Sequence, residues 1–155
     1  MKKTGILLFK IENQKKHFFL SKNNFKLIDE SDDLFSDFNC KLDEYSLEES
    51  IKSFKVNTCN QLDINFEDCK SFINEKYEYC IYYLECNIDD SDIEKVNKTR
   101  NFINSVSKSD KGINLLDCSD DDLKYFKVNE ILDNKDKFEK TFFNTFLKLV
   151  KNTII

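Results

Sequence analysis

The chain has 155 residues, of which 40% are hydrophobic, 14% aromatic and 34% charged. This composition suits one domain with its own core and excludes an intrinsically disordered chain. A net charge of −5 with both signs mixed along the sequence gives no broad basic face, so extended duplex nucleic acid is not an expected partner. With no proline and only two glycines, turns have to be made from Asn, Asp and Ser.

The apolar run that opens the chain, near Gly5–Ile11, is too short for a signal-peptide core or a membrane span, and reads as a first strand. His17–Ser21 is a second strand, joined to the first in a hairpin through the polar residues Glu12–Lys16. A short apolar patch at Phe25, Leu27 and Ile28 predicts a third strand before the acidic break at Asp29–Asp33. The spacing of Leu34, Phe35, Phe38 and Leu42 fits either a strand or a helical turn. Ser46 and Glu49 then form a capping-box pattern that starts a helix. Its apolar stripe is Leu47, Ile51, Phe54 and Thr58, with Glu48, Lys52, Lys55 and Asn57 largely outside it.

Gln61–Asn65 reads as extended, and Phe66, Cys69, Phe72 and Ile73 have helix-compatible spacing. Tyr77–Cys86 is the clearest strand, apolar on both alternating faces and therefore expected at the centre of a sheet. A helix of about four turns follows from Ser91, with Ile93, Val96, Arg100, Ile103 and Val106 on one stripe. A turn at Lys108–Gly112, an apolar run at Ile113–Leu116 and a dense acidic loop at Asp117–Asp122 lead to a strand at Leu123–Val128. A closing helix carries Phe138, Phe142, Phe146, Leu149 and Val150 on one stripe, with Asp136 and Glu139 as a second capping pair. The order of elements predicts an α+β fold or a three-layer α/β/α sandwich.

Six cysteines lack any C-x-x-C pairing and fall mostly in apolar patterns, which predicts free thiols in a reducing, cytoplasmic compartment. A single histidine, His17, cannot form a His-rich metal site and is a weak base for nucleophilic catalysis. Tyr77, Tyr79, Tyr82 and Tyr83 are numerous enough to stack a base, but apolar residues on both faces of their strand favour core packing.

The hairpin GILLFKI and HFFLS, the helix SLEESIKSFKV running into QLDI, the strand YEYCIYYLEC, the segment DDLKYFKVNEIL and the Phe-rich terminal helix together resemble the Nudix domain across nearly the whole chain. The resemblance implies one Nudix-like α/β/α sandwich with a mixed β-sheet over residues 1–155. It also implies hydrolysis of nucleoside diphosphate-linked compounds, including capped RNA ends, with Mg²⁺ or Mn²⁺ held by helix carboxylates. Laid on SLEES, the R-E-U-x-E-E positions of the family's helix fall near Ser53, Phe54, Lys55, Val56, Asn57 and Thr58, and the family's acids are missing there. Arg100 is the only arginine, and neither Gly5 nor Gly112 lies in this region, so the intact motif is absent in every register.

Two acidic groups remain as candidate metal ligands. Asp43, Glu44, Glu48 and Glu49 cluster at the helix entry, and Asp117, Asp120, Asp121 and Asp122 crowd the later loop. Acids favour helix N-termini and solvated loops for ordinary reasons, and that reading is the stronger one for both groups. The expectation is therefore a Nudix-like domain without metal-dependent hydrolysis, without a cofactor, and with a nucleotide or a protein as its partner. The enzymatic alternative uses Glu44, Glu48, Glu49, Asp120 and Asp121 with Mg²⁺ or Mn²⁺.

Overall fold

The computed structural model describes residues 1–22, 26–27, 33–107, 113–114 and 121–152. Strand β1 (Lys2–Glu12) runs antiparallel to β2 (Lys15–Ser21) through a turn shortened to Asn13 and Gln14, both at positive φ. That pair of left-handed residues gives a two-residue hairpin the twist it needs, here without glycine. Strand β4 (Phe38–Leu42) takes the other half of the same β1 edge, pairing Lys2–Ile6 antiparallel. On the opposite edge, β6 (Tyr79–Glu85) pairs Lys3–Phe9 in parallel and carries β5 (Lys70–Asn74) beyond it. Strand β8 (Leu123–Lys127) closes the far side against β2, giving a six-stranded mixed sheet ordered β5-β6-β1-β2-β8 with β4 beside β1. A separate two-stranded pair joins β3 (Lys26–Leu27) to β7 (Ile113–Asn114).

Helices cover both faces of the sheet. On one face α1 (Leu47–Asn57) and α2 (Asp90–Ser107) bury Ile6, Leu8, Phe19, Phe38, Phe54, Ile93 and Val96. On the other, α3 (Val128–Leu132) and α4 (Lys140–Lys151) bury Leu7, Phe18, Leu20, Ile81, Phe126, Phe142 and Phe146. Successive residues of β1 therefore serve opposite cores, as the period of a strand requires. The expected mixed sheet with helices is present, and the segment that fitted a strand or a helical turn is a strand at Phe38–Leu42.

Two local expectations are corrected. Phe72 and Ile73 belong to β5, not to a helix: backbone pairing with β6 supplies their hydrogen bonds, and Ile73 stays exposed at the sheet edge. Asp136 does not cap α4, since Lys135–Lys137 forms a 3₁₀ turn and Glu139 occupies the cap while its carboxylate reaches Lys3 Nζ at 2.6 Å. Phe25, Ile28, the acidic break at 29–32, the turn at 108–112 and most of the acidic loop lie outside the described residues.

One buried polar group sits between β1, β4 and β6. The Asp37 carboxyl is fully buried; its Oδ1 accepts from the Tyr79 hydroxyl and from Asn39 Nδ2 at 2.9 Å, and its Oδ2 has no partner among the described residues. Gly5 makes room for it, because a Cβ there would stand 1.9 Å from Oδ2. Burial dominates over the two donated hydrogen bonds and pushes the carboxyl up to about 7, with Glu139 adding to the rise and Lys3 opposing it. Tyr79, also buried, is held well above the usual phenol range and stays a donor.

A carboxyl raised on folding binds more protons in the native state than in the unfolded one, so it makes the protein less stable as pH increases. Between pH 3.8 and about 7 this group alone removes on the order of 4 kcal/mol. Asp37→Asn should flatten that part of the pH profile and exceed the parent in stability at pH 8. Urea melts of both proteins from pH 4 to 8 check it, and parallel profiles would refute it.

Candidate functional site

Helix α1 begins where Ser46 Oγ accepts the Glu49 N–H at 3.1 Å, so half of the capping box forms. The Glu49 carboxylate turns instead to Lys52 at 3.1 Å, and Glu48 lies 3.8 Å from the same ammonium. Glu44 pairs with Lys2 at 3.3 Å. The side chains of Glu44 and Glu48 are 83% and 82% exposed, which places these acids on the solvent side of the helix entry.

The sheet side of α1 is neutral. Ser50 Oγ lies 2.6 Å from Thr4 Oγ1 and donates to the Ser46 carbonyl, which lets the helix approach β1 closely. Phe54 is fully buried and meets Phe38 edge-on at 4.8 Å and Phe66 at 5.6 Å. Asn57, expected outside the stripe, is buried: its amide donates to the Ser53 carbonyl at 2.9 Å, and Thr58 donates likewise to Phe54. A polar side chain that bonds to its own helix turn satisfies itself without solvent.

The two acidic groups do not meet. Glu44 stands by Lys2 at the start of β1, whereas Asp121 lines a cleft with Lys10, eight residues along the same strand and about 26 Å away. Asp122 is buried with its carbonyl accepting the Lys22 N–H at 2.8 Å, and Asp120 lies outside the described residues. Among the described residues no three His, Cys, Asp or Glu side chains are grouped to hold a metal ion. The two α1 carboxylates at the helix entry, Glu48 and Glu49, both turn to the Lys52 ammonium.

Tyr79 and Tyr83 of β6, with Tyr77 just before it, belong to the core under α3 and α4, and Tyr82 to the core under α1 and α2, so these tyrosines serve packing on both faces.

A concavity lies at the other end of β1, where two cavities of about 340 and 370 Å³ share Lys10 as a lining residue. Its floor is Tyr125, whose hydroxyl accepts the Ile88 N–H at 3.1 Å and donates to the Cys86 carbonyl at 3.3 Å. Burial pushes that phenol up to about 12. Lys10 Nζ stands 4.2 Å above the Tyr125 ring and 3.1 Å from Glu12. Helix α2 supplies the wall with Asp90, Ile93 and Glu94, and two of its buried polar residues fix the wall in place. Asn97 exchanges hydrogen bonds of 3.0 and 3.1 Å with the Leu123 backbone, and Arg100 donates to Ser21 Oγ and the Lys22 carbonyl, both at 2.9 Å. The chain's one arginine is thus a clamp between α2 and β2. Sequence reasoning did not find this cleft, although Lys10 interrupting an apolar strand is its one visible trace.

A six-stranded mixed sheet with helices on both faces, and with α1 laid over the strand pair β1 and β4, defines an α/β/α sandwich. No family model matches the chain, and no curated protein matches it. Among solved structures it resembles a Nudix hydrolase from M. smegmatis, RenU, at 8% identity over 99% of this chain and 86% of that one, with a TM-score of 0.52. It also resembles the C. elegans Ap4A hydrolase, at 14% identity over 98% of this chain and 97% of that one, with a TM-score of 0.50. The fold is Nudix-like.

The packing of α1 ranks its residues. Phe54→Ala should cost about 3–5 kcal/mol through the cavity it leaves, and Ser46→Ala about 0.5–2 kcal/mol through loss of the cap. Asn57→Ala should cost about 1–3 kcal/mol, the amount for a buried hydrogen-bonded group, unlike an exposed site. Denaturant melts measure all three, and an Asn57→Ala protein indistinguishable from the parent would contradict the burial of that amide.

Proposed function

We propose that this chain is a Nudix-like domain that binds a nucleotide-type ligand without hydrolysing it. The observation that carries this reading is the neutral sheet side of α1: Ser50, Phe54, Asn57 and Thr58 stand there in packed or hydrogen-bonded roles, while Glu48 and Glu49 face solvent and pair with Lys52. A divalent cation that polarises a pyrophosphate needs converging oxygen ligands, and α1 offers none. The cleft at Lys10 and Tyr125 supports the binding half of the proposal, since its volume falls at the lower end of small-ligand sites, about 300–1,000 Å³.

The competing reading is a divergent hydrolase that draws on the entry-turn acids and the acidic loop. Pure protein is incubated with ADP-ribose, a dinucleoside tetraphosphate and a capped RNA oligonucleotide in Mg²⁺ or Mn²⁺, and products are resolved by chromatography. The expected result is no product above the protein-free blank. Turnover that disappears in Glu48→Gln or Asp121→Asn would overturn the proposal.

A further inference from the structure

The main sheet ends in two edge strands, β5 and β8, that are finished differently. An edge strand presents backbone N–H and C=O groups that can template pairing with another chain. At β8 those groups are occupied: the Leu123 N–H and C=O both bond to the Asn97 side chain, and the Lys127 N–H donates to the Glu130 carboxylate at 2.9 Å. At β5, among the described residues, no side chain takes the outward groups. Which groups point outward follows from the parity of the ladder. The Lys3 N–H donates to the Glu78 carbonyl at 2.9 Å and the Cys86 N–H to the Phe9 carbonyl at 2.7 Å, so the even-numbered residues of β6 turn their backbone groups toward β1. Its odd-numbered residues, Tyr79, Ile81 and Tyr83, therefore bond to their β5 partners Asn74, Phe72 and Lys70. Ser71 and Ile73 direct their N–H and C=O to the open side. Both of these side chains are exposed, Ile73 by 45%, on the face where their partners Tyr82 and Cys80 lie.

We infer that β5 pairs with β5 of a second copy of this chain, antiparallel and centred on Phe72, so that two sheets join into one. A two-fold axis at Phe72 sets Ser71 against Ile73 of the second copy, and Ile73 against its Ser71. Each of these pairs exchanges both backbone hydrogen bonds, which satisfies every outward group of the two strands. An axis at Ser71 or Ile73 would overlap only part of the strand. Lys70, the one charged residue of β5 and the kind that usually guards an edge, faces the uncharged Asn74 of the second copy, so like charges are not opposed. Continued into the flanking turns, the register aligns Asp68 with Lys76, charges of opposite sign. The axis stands perpendicular to the sheet and keeps equivalent faces together, and the two exposed Ile73 side chains lie diagonally across it, about 7–8 Å apart and within reach of each other. An unrelated strand would use the same backbone groups; self-pairing is favoured because parity, strand length and both charge matches close on one axis. The contact uses no residue of the cleft at Lys10.

Sedimentation velocity over a range of protein concentrations, with amide hydrogen exchange followed by NMR, tests this. The expected result is a reversible equilibrium between monomer and dimer, weak because one edge strand buries little surface. The Ser71 and Ile73 amides should gain protection as concentration rises, whereas the Phe72 amide, bonded within the sheet, is protected throughout. Ser71→Pro removes an outward donor without touching the β6 ladder, at a position where an edge strand tolerates proline, and should weaken dimerisation by about tenfold or more. Ser71→Ala keeps that donor and should dimerise as the parent does. Ile73→Lys leaves the backbone intact and brings two ammonium groups together, so it should also weaken the dimer, and the test does not depend on whether Ser71→Pro folds. A parent that stays monomeric, leaving the edge to a strand of another protein, would overturn the inference. So would a dimer that Ser71→Pro and Ile73→Lys both leave unchanged, or one whose newly protected amides lie on another element.

Discussion

Every strand of the main sheet depends on the backbone of Lys2–Glu12. Its two edges hold β4, β2 and β6 directly, and β5 and β8 attach through β6 and β2. Its side chains meanwhile alternate between two cores, Ile6 and Leu8 toward α1 and α2, Leu7 toward α4. A strand in this position can carry few polar residues, and each one it does carry has a specific neighbour. Thr4 meets Ser50, Gly5 leaves space for Asp37, and Lys3 reaches Glu139. At the end, where burial lapses, Lys10 and Glu12 pair with each other beside the cleft.

How far the sequence revealed this arrangement follows from how local each signal is. The hairpin, β6, β8 and the terminal helix were legible because their apolar periodicity is set within a few residues and matches their final burial. Strand β5 was not: its apolar residues fall at a spacing that a helix also allows, and the backbone pairing with β6 that decides the matter is made to another segment. Asn57 misled for a different reason, since polarity was taken as exposure although an amide can be satisfied by the turn beneath it. Asp37 gave no sign at all, because its burial depends on a glycine and a tyrosine that lie far away in the chain.

The Nudix-like fold keeps α1 in place through packing rather than through chemistry. Phe54 between Phe38 and Phe66, and Ser50 against Thr4, would hold the helix on the sheet whatever its outer residues were. The core therefore places no demand on the outer face of the helix, where Glu48, Glu49 and Lys52 stand. It also moves attention to the opposite end of β1, where the buried polar clamps Asn97 and Arg100 hold a wall of the cleft that sequence periodicity alone would have filled with aliphatic residues.

The turns carry one more consequence. Among the described residues Asn13, Gln14, Asp33, Cys59, Asn60 and Glu78 all stand at positive φ, a region that costs an L-residue about 1–2 kcal/mol and glycine almost nothing. The chain thus holds its corners with side chains that resist them, and its cooperative core absorbs that tension. A protein built this way has room to become sturdier by small changes at its periphery, without touching either core or the cleft between α2 and β8.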